Sequence, residues 1–192
     1  MSRRYSRENQ RMTGFLHEPG VGRDAAAKIL VVMGVSGVGK TVIARAVADR
    51  LGWTFQEGDA MHPQANIRKM SAGEPLTDAD RQPWLETVAA WIDWQLAANA
   101  CGVMTCSALK RAYRERIVGG RSGVRLVYLE ASEPVIAARL AARSGHFMPP
   151  GLLASQLETL EEPTAEEHPI IIDASLPVNA IVDDVLAHLE LR

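Results

Sequence analysis

Short apolar runs separated by stretches of helical spacing organise most of the chain. Ile29-Leu30-Val31-Val32-Met33 is continuously apolar and β-branched, which predicts a strand over about 28–33 buried on both faces of a parallel sheet. Residues 53–57 alternate and predict a second strand, and 103–106, 124–129 and 170–172 predict three more. After the first strand, Ile43, Val47 and Leu51 fall on one helical stripe in a pattern beginning at Val42, and Gly52 stands where a terminating glycine belongs. Trp84, Val88, Trp91, Ile92 and Gln95 recur at helical spacing, with Pro83 suited to that helix's early turn. A basic helix runs to about Val118 before Gly119-Gly120, and Pro134 opens another, with Val135, Ile136 and Leu140 on its apolar side. Leu153, Leu157 and Leu160 mark a short helix, and Ile181, Val182, Val185, Leu186 and Leu189 a final one. Strands alternating with helices predict an α/β fold: a parallel sheet covered by helices, in one domain over 28–192. Residues 1–27 lack periodicity and read as a mobile extension, with Met12 an alternative start.

Between the first strand and the first helix lies Gly34-Val35-Ser36-Gly37-Val38-Gly39-Lys40-Thr41. This is the GxxxxGK[ST] pattern of a phosphate-binding P-loop in its required strand-to-helix context. The glycines allow several N–H groups to converge on one concavity, and the helix N-terminus adds its positive dipole end. Gly34, Ser36, Gly37, Val38 and Gly39 would line the cradle, Lys40 would reach the β- and γ-phosphates, and Thr41 would ligate Mg²⁺. A nucleoside triphosphate with Mg²⁺ is therefore the expected ligand.

Composition narrows the partners. A net charge of −2 and a pI near 6.2 give no reason to expect nucleic acid or an anionic membrane surface. No apolar run approaches the roughly 18 residues of a membrane span, and no apolar segment follows the basic start, so a signal peptide is not expected. Cys101 and Cys106 lack metal-site spacing and read as free thiols of a reducing, cytoplasmic compartment.

The P-loop alone does not say where the phosphate goes. A guanine-reading NKxD is absent, and Asp49-Arg50-Leu51-Gly52 lies too close to the P-loop for a switch DxxG. Motor-type ATPases end a strand in an acid that holds Mg²⁺ and orients water, whereas the third strand here ends in Thr105-Cys106-Ser107. A small kinase remains, with its acceptor hydroxyl held near a carboxylate.

Glu57-Gly58-Asp59 with His62-Pro63, then Lys69-Met70-Ser71-Ala72-Gly73-Glu74-Pro75-Leu76-Thr77-Asp78 and Asp80-Arg81-Gln82-Pro83-Trp84-Leu85, resemble the gluconokinase family. Cys106-Ser107-Ala108-Leu109-Lys110-Arg111 and Gly145-His146-Phe147-Met148-Pro149 are similar to it too, and the likeness covers about 29–190. The resemblance implies a three-layer P-loop kinase fold like that of shikimate and nucleoside monophosphate kinases, with strand order 2-3-1-4-5 and a small lid. It implies ATP-dependent phosphorylation of D-gluconate to 6-phospho-D-gluconate, feeding pentose-phosphate metabolism, by a homodimer.

Within that expectation Asp59 accepts or orients the acceptor-hydroxyl proton and stands near the metal with Thr41, and Glu57 is a candidate for the magnesium water shell. Residues 62–84 form a substrate-facing insertion, and 144–151 the lid loop. A sugar-acid monoanion needs cations and hydrogen-bond donors, for which Arg81, Arg68, Lys69, His62, Lys110 and Gln156 are candidates. Arg139 and Arg143 are either a surface pair or phosphate ligands that neutralise the transferring group, Arg143 nearer the lid. Arg111, Arg114 and Arg116 read as a solvated helix face. Pro177 belongs to the loop expected to cradle adenine. A kinase for another sugar acid, or a catalytically silent nucleotide binder, are the competing readings.

Overall fold

A computed structural model describes residues 28–142 and 150–189. The strands are β1 (Ile29–Met33), β2 (Thr54–Glu57), β3 (Gly102–Thr105), β4 (Val124–Glu130) and β5 (Ile170–Asp173). They form one sheet in the order β2-β3-β1-β4-β5, and every pairing is parallel. The helices are α1 (Lys40–Leu51), α2 (Gln64–Ser71), α3 (Asp78–Ala97), α4 (Arg111–Ile117), α5 (Glu133–Ala141), α6 (Pro150–Thr159) and α7 (Val178–His188). The sequence-based α/β architecture and strand order are those observed.

β1 is central, and its side chains alternate between two cores. Leu30 and Val32 join Val103, Val127, Leu129 and Ile172 beneath α1 and α7, around Ile43, Val47, Ile181 and Val185. Ile29, Val31 and Met33 join Met104, Leu126 and Tyr128 beneath α3 and α4, around Trp84, Leu85, Val88, Ile92, Tyr113 and Ile117. Both faces are dry, which is why the run reads as continuously apolar. Each fully buried aliphatic side chain contributes about 1.5–3 kcal/mol. The parallel arrangement sends all strand carboxyl ends to one edge, where ligands of open α/β sheets bind.

One helix start needs correction. α3 does not begin near Pro83 but at Asp78, where Thr77 and Asp80 form a reciprocal capping box. Pro83 lies inside the helix, and it cannot donate to the carbonyl a turn earlier. α1 begins at Lys40, so Lys40 and Thr41 stand at the helix start, where the phosphate-loop pattern puts them.

Arg114 is not on a solvated face. It is 2% exposed, and its guanidinium meets Glu167 at 2.5 and 3.0 Å while Nη1 donates to the carbonyls of Ala108, Leu109 and Glu161. This clamp ties α4 and the loop after β3 to the segment following α6. The Glu161 N–H, donated to Leu109 O at 2.8 Å, reinforces it. Arg114 holds the Glu167 carboxyl below its ordinary value. The stabilisation this adds is complete above the usual carboxylate pKa and is lost as pH falls through the depressed one. Arg114→Met is expected to cost about 3–5 kcal/mol, because it leaves a half-buried carboxylate and three carbonyls without their buried partner, and to flatten the acid limb of stability. Thermal melts between pH 3 and 7 check this; an unchanged midpoint would show the clamp to be idle.

Candidate active site

The phosphate loop occupies the turn from β1 into α1. Gly39, the residue before the helix, has φ +113°, a conformation reserved for glycine, and a Cβ there would find only Arg139 Nη1 at 3.9 Å. The concavity is therefore open to a ligand. Lys40 Nζ lies across it, donating to the carbonyls of Gly34 at 3.0 Å and Val35 at 3.1 Å. The Ser36 N–H donates to Gln156 Oε1 at 2.7 Å. Arg139 donates to Val38 O at 2.8 Å and to Ala174 O at 2.6 Å, stapling the phosphate loop to the turn after β5.

Next to the loop, the carboxyl ends of β2 and β3 meet. Gly58 approaches β3 so closely that a Cβ on it would sit 2.0 Å from the Thr105 carbonyl oxygen. Its N–H donates to Thr105 Oγ1 at 3.1 Å, and its carbonyl accepts from Trp84 Nε1 at 2.8 Å. Glu57, one residue earlier, accepts from Thr41 Oγ1 at 2.8 Å and from the Thr105 hydroxyl. Asp59, one residue later, is exposed in the 3-10 turn Gly58–Met61.

One cavity of about 1040 Å³ joins these parts. Ser36, Gly37, Val38, Gly39, Lys40, Thr41, Glu57, Arg139 and Gln156 line its phosphate side, and Asp59, His62, Arg81, Trp84 and Tyr113 the other. Met70, Glu74, Pro75 and Leu76 of the α2–α3 hairpin wall it, and Val42, Leu176 and Val178 supply an apolar lip. Gly34 contributes through its carbonyl, and Pro177 lies between two lining residues. Arg68, Lys69 and Lys110 are not among the lining residues. Lys69 is held by Asp80 at 2.7 and 2.8 Å, and Lys110 by Asp78 at 2.9 and 2.8 Å. Gln156 sits on the phosphate loop, away from the acceptor end. Arg143 and lid residues 144–149 lie outside the described residues, as does the extension 1–27.

Sequence reasoning did not single out Asn66 or Trp84 as supports of this site. Trp84 is 3% exposed and stacks on His62 with centroids 4.3 Å apart and planes 14° from parallel. Asn66, also buried, donates to Asp80 O at 2.8 Å and contacts His62 Nδ1 at 3.3 Å. With the amide donating, the imidazole carries its proton on Nε2. Asp80 closes the hairpin, its carboxyl held well below the usual range by Lys69 and Thr77. Cys106 is buried beside these groups, and desolvation pushes its thiol up to about 12, so it is no nucleophile.

The chemistry is that of a triphosphate cradle facing a chamber that the Asp59 carboxylate and the Arg81 guanidinium line. An oxygen donor set (Thr41, Glu57, Asp59) suits Mg²⁺. Among the described residues no group of three or more His, Cys, Asp or Glu could hold a metal unaided.

Fold and site together define a P-loop nucleotide-binding kinase. The AAA domain family profile matches residues 29–163. A gluconokinase of Gluconobacter oxydans is 48% identical over 163 residues, covering 85% of this chain and 92% of the relative. The thermoresistant gluconokinase of Escherichia coli is 41% identical over 155 residues, covering 80% of this chain and 89% of the relative. A crystal structure of a Sinorhizobium meliloti gluconokinase superposes with a TM-score of 0.75 at 48% identity, over 87% of this chain and 93% of that one. The fold is also shared with a shikimate kinase of Bacteroides thetaiotaomicron, TM-score 0.59 at 18% identity, covering 85% of this chain and 98% of that one. The chain belongs to the gluconokinase family.

Burial beside Trp84 lowers the His62 pKa from 6.5, Asp59 opposes that shift, and Arg81 adds to it. The neutral imidazole is thus favoured on folding, and His62 destabilises the fold as pH drops from 6.5 toward its depressed value. In an NMR titration, Arg81→Gln should raise the His62 pKa and Asp59→Asn should lower it further. An unchanged His62 pKa in both variants would place these groups away from the imidazole.

Proposed function

We propose that this protein is an ATP-dependent gluconokinase that makes 6-phospho-D-gluconate. The observation carrying this reading is the single cavity in which an intact phosphate loop faces Asp59, His62 and Arg81. The gluconokinase identities of up to 48% supply the substrate.

In this mechanism the loop amides and Lys40 hold the β- and γ-phosphates, and Thr41 offers a hydroxyl to the ion. Thr41, with Glu57 behind it, would hold a Mg²⁺ ion, which would supply neutralisation of the charge that builds on the phosphates during transfer. Asp59 orients the acceptor hydroxyl and accepts its proton. Positioning dominates, because phosphoryl transfer leaves little covalent work for the protein. Arg81 takes the sugar-acid carboxylate, since it lines the chamber with its nearest ion-pair contact, to Asp78, a long 3.8 Å. His62 Nε2–H donates to a substrate oxygen. Lys69 and Lys110 instead hold the hairpin and the start of α4 in place. Arg139, and Arg143 from beyond the described residues, neutralise the phosphoryl group as the lid closes.

Residues 28–192 act as one domain, with 62–84 as the acceptor-binding insertion. Among the described residues no helix is long and apolar enough to cross a membrane, and a cytoplasmic location belongs to this reading. So does a homodimer, for which Trp94, 66% exposed on α3, is an apolar contact candidate.

With MgATP, release of ADP should be much faster with gluconate than with shikimate, glycerate or nucleoside monophosphates. Equal rates across that panel would overturn the substrate assignment. Asp59→Asn should lower kcat by about 10²–10⁴-fold while ATP binding persists. Near-normal turnover would remove Asp59 from the reaction.

A further inference from the structure

We infer that Thr105, at the carboxyl end of β3, is a positioning residue for the metal site, acting through Glu57 on Thr41. Thr105 is 1% exposed and has no part in the nucleotide cradle or the acceptor chamber. Its hydroxyl has one proton, and the hydrogen bonds decide where that proton goes. The Gly58 N–H donates to Thr105 Oγ1 at 3.1 Å, occupying an acceptor lone pair. Thr105 then donates to Glu57 Oε1. Glu57 Oε2 in turn accepts the Thr41 proton at 2.8 Å. Read from one end, the chain is Gly58 N–H to Thr105, Thr105 to Glu57, and Thr41 to Glu57. Thr41 Oγ1 is left with its lone pairs turned away from the carboxylate, as a metal ligand requires.

Two consequences separate this arrangement from a strand-end acid that ligates the ion directly. Each Glu57 oxygen is already engaged by a hydroxyl, so Glu57 serves as an outer acceptor that fixes the Thr41 proton and takes hydrogen bonds from metal-bound water. Moreover, β3 ends in a hydroxyl where an acid would otherwise reach the ion, and that hydroxyl aims an acid carried by β2. Partners of this kind typically change metal affinity or activity by about 10–100-fold. The inference rests on the kinase reading above but concerns its donor half alone.

The test is Mn²⁺ binding to the full-length protein with ADP present, followed by electron paramagnetic resonance or water-proton relaxation and needing no gluconate. Thr105→Val, which keeps shape and removes both hydrogen bonds of the hydroxyl, should weaken Mn²⁺ binding by about 10–100-fold. Metal-free ADP affinity should stay close to that of the parent, and Thr105→Ser should restore the metal affinity. Thr105→Ala is read the same way if the valine variant does not fold. Parental Mn²⁺ affinity in a folded donor-less variant overturns the proposal, as does an equal loss of metal-free ADP binding. If the parent protein turns over gluconate and the variant still binds Mn²⁺ normally, only this inference falls. If the parent ignores gluconate but the variant loses metal, only the substrate assignment falls.

Discussion

The site depends on one close approach, that of Gly58 to the end of β3. No side chain larger than hydrogen fits there, since a Cβ would lie 2.0 Å from a backbone oxygen. The contact is held from three directions: by the Thr105 hydroxyl, by the Trp84 indole, and by the parallel pairing of Glu57 with Thr105. On either side of this junction stand two carboxylates with different surroundings. Glu57 is turned toward the phosphate loop and held by two hydroxyls. Asp59 is turned toward the open chamber. A single peptide unit of rigid geometry thus divides donor chemistry from acceptor chemistry.

The basic residues of the insertion are divided in a similar way. Lys69 and Lys110 neutralise Asp80 and Asp78, the acids that begin α3. Charges so placed suit a helix N-terminus, and the lysines lock the hairpin and α4 onto it. Arg81, one turn further along α3, is left with looser contacts: Asp78 at 3.8 Å and the Tyr113 ring at 5.9 Å. Lys69 of the insertion and Lys110 of the loop after β3 thus act as fasteners, while Arg81 and His62 line the chamber. Arg114 performs the same fastening at the far side, where it joins the loop after β3 to the segment after α6.

Much of this was legible in the chain. The run 29–33 read as a strand buried on both faces of a parallel sheet, and the glycine-rich octet after it already specified the phosphate loop. The capping box of Thr77 and Asp80 was also readable as a T-x-x-D pattern, yet Pro83 drew the helix start too far along. Arg114 was misread because composition cannot distinguish a solvated guanidinium from one whose partner, Glu167, lies more than 50 residues away. Thr105 was noticed only as a missing acid. Its partners come from three separate segments, and hydrogen-bond polarity across them has no signature in spacing. The same limit applied to Lys69 and Lys110: guanidinium chemistry favoured Arg81 and Arg68 as carboxylate ligands, but the acids that hold the two lysines were not visible in spacing.

The most direct test of this account is a crystal structure with Mg·ADP, aluminium fluoride and gluconate. The predicted result puts the acceptor hydroxyl on Asp59 in line with the fluoride and the gluconate carboxylate on Arg81. Glu57 would still be held by Thr41 and Thr105. Gluconate bound elsewhere in the cavity, or Glu57 released from Thr105 to ligate Mg²⁺ itself, would contradict it.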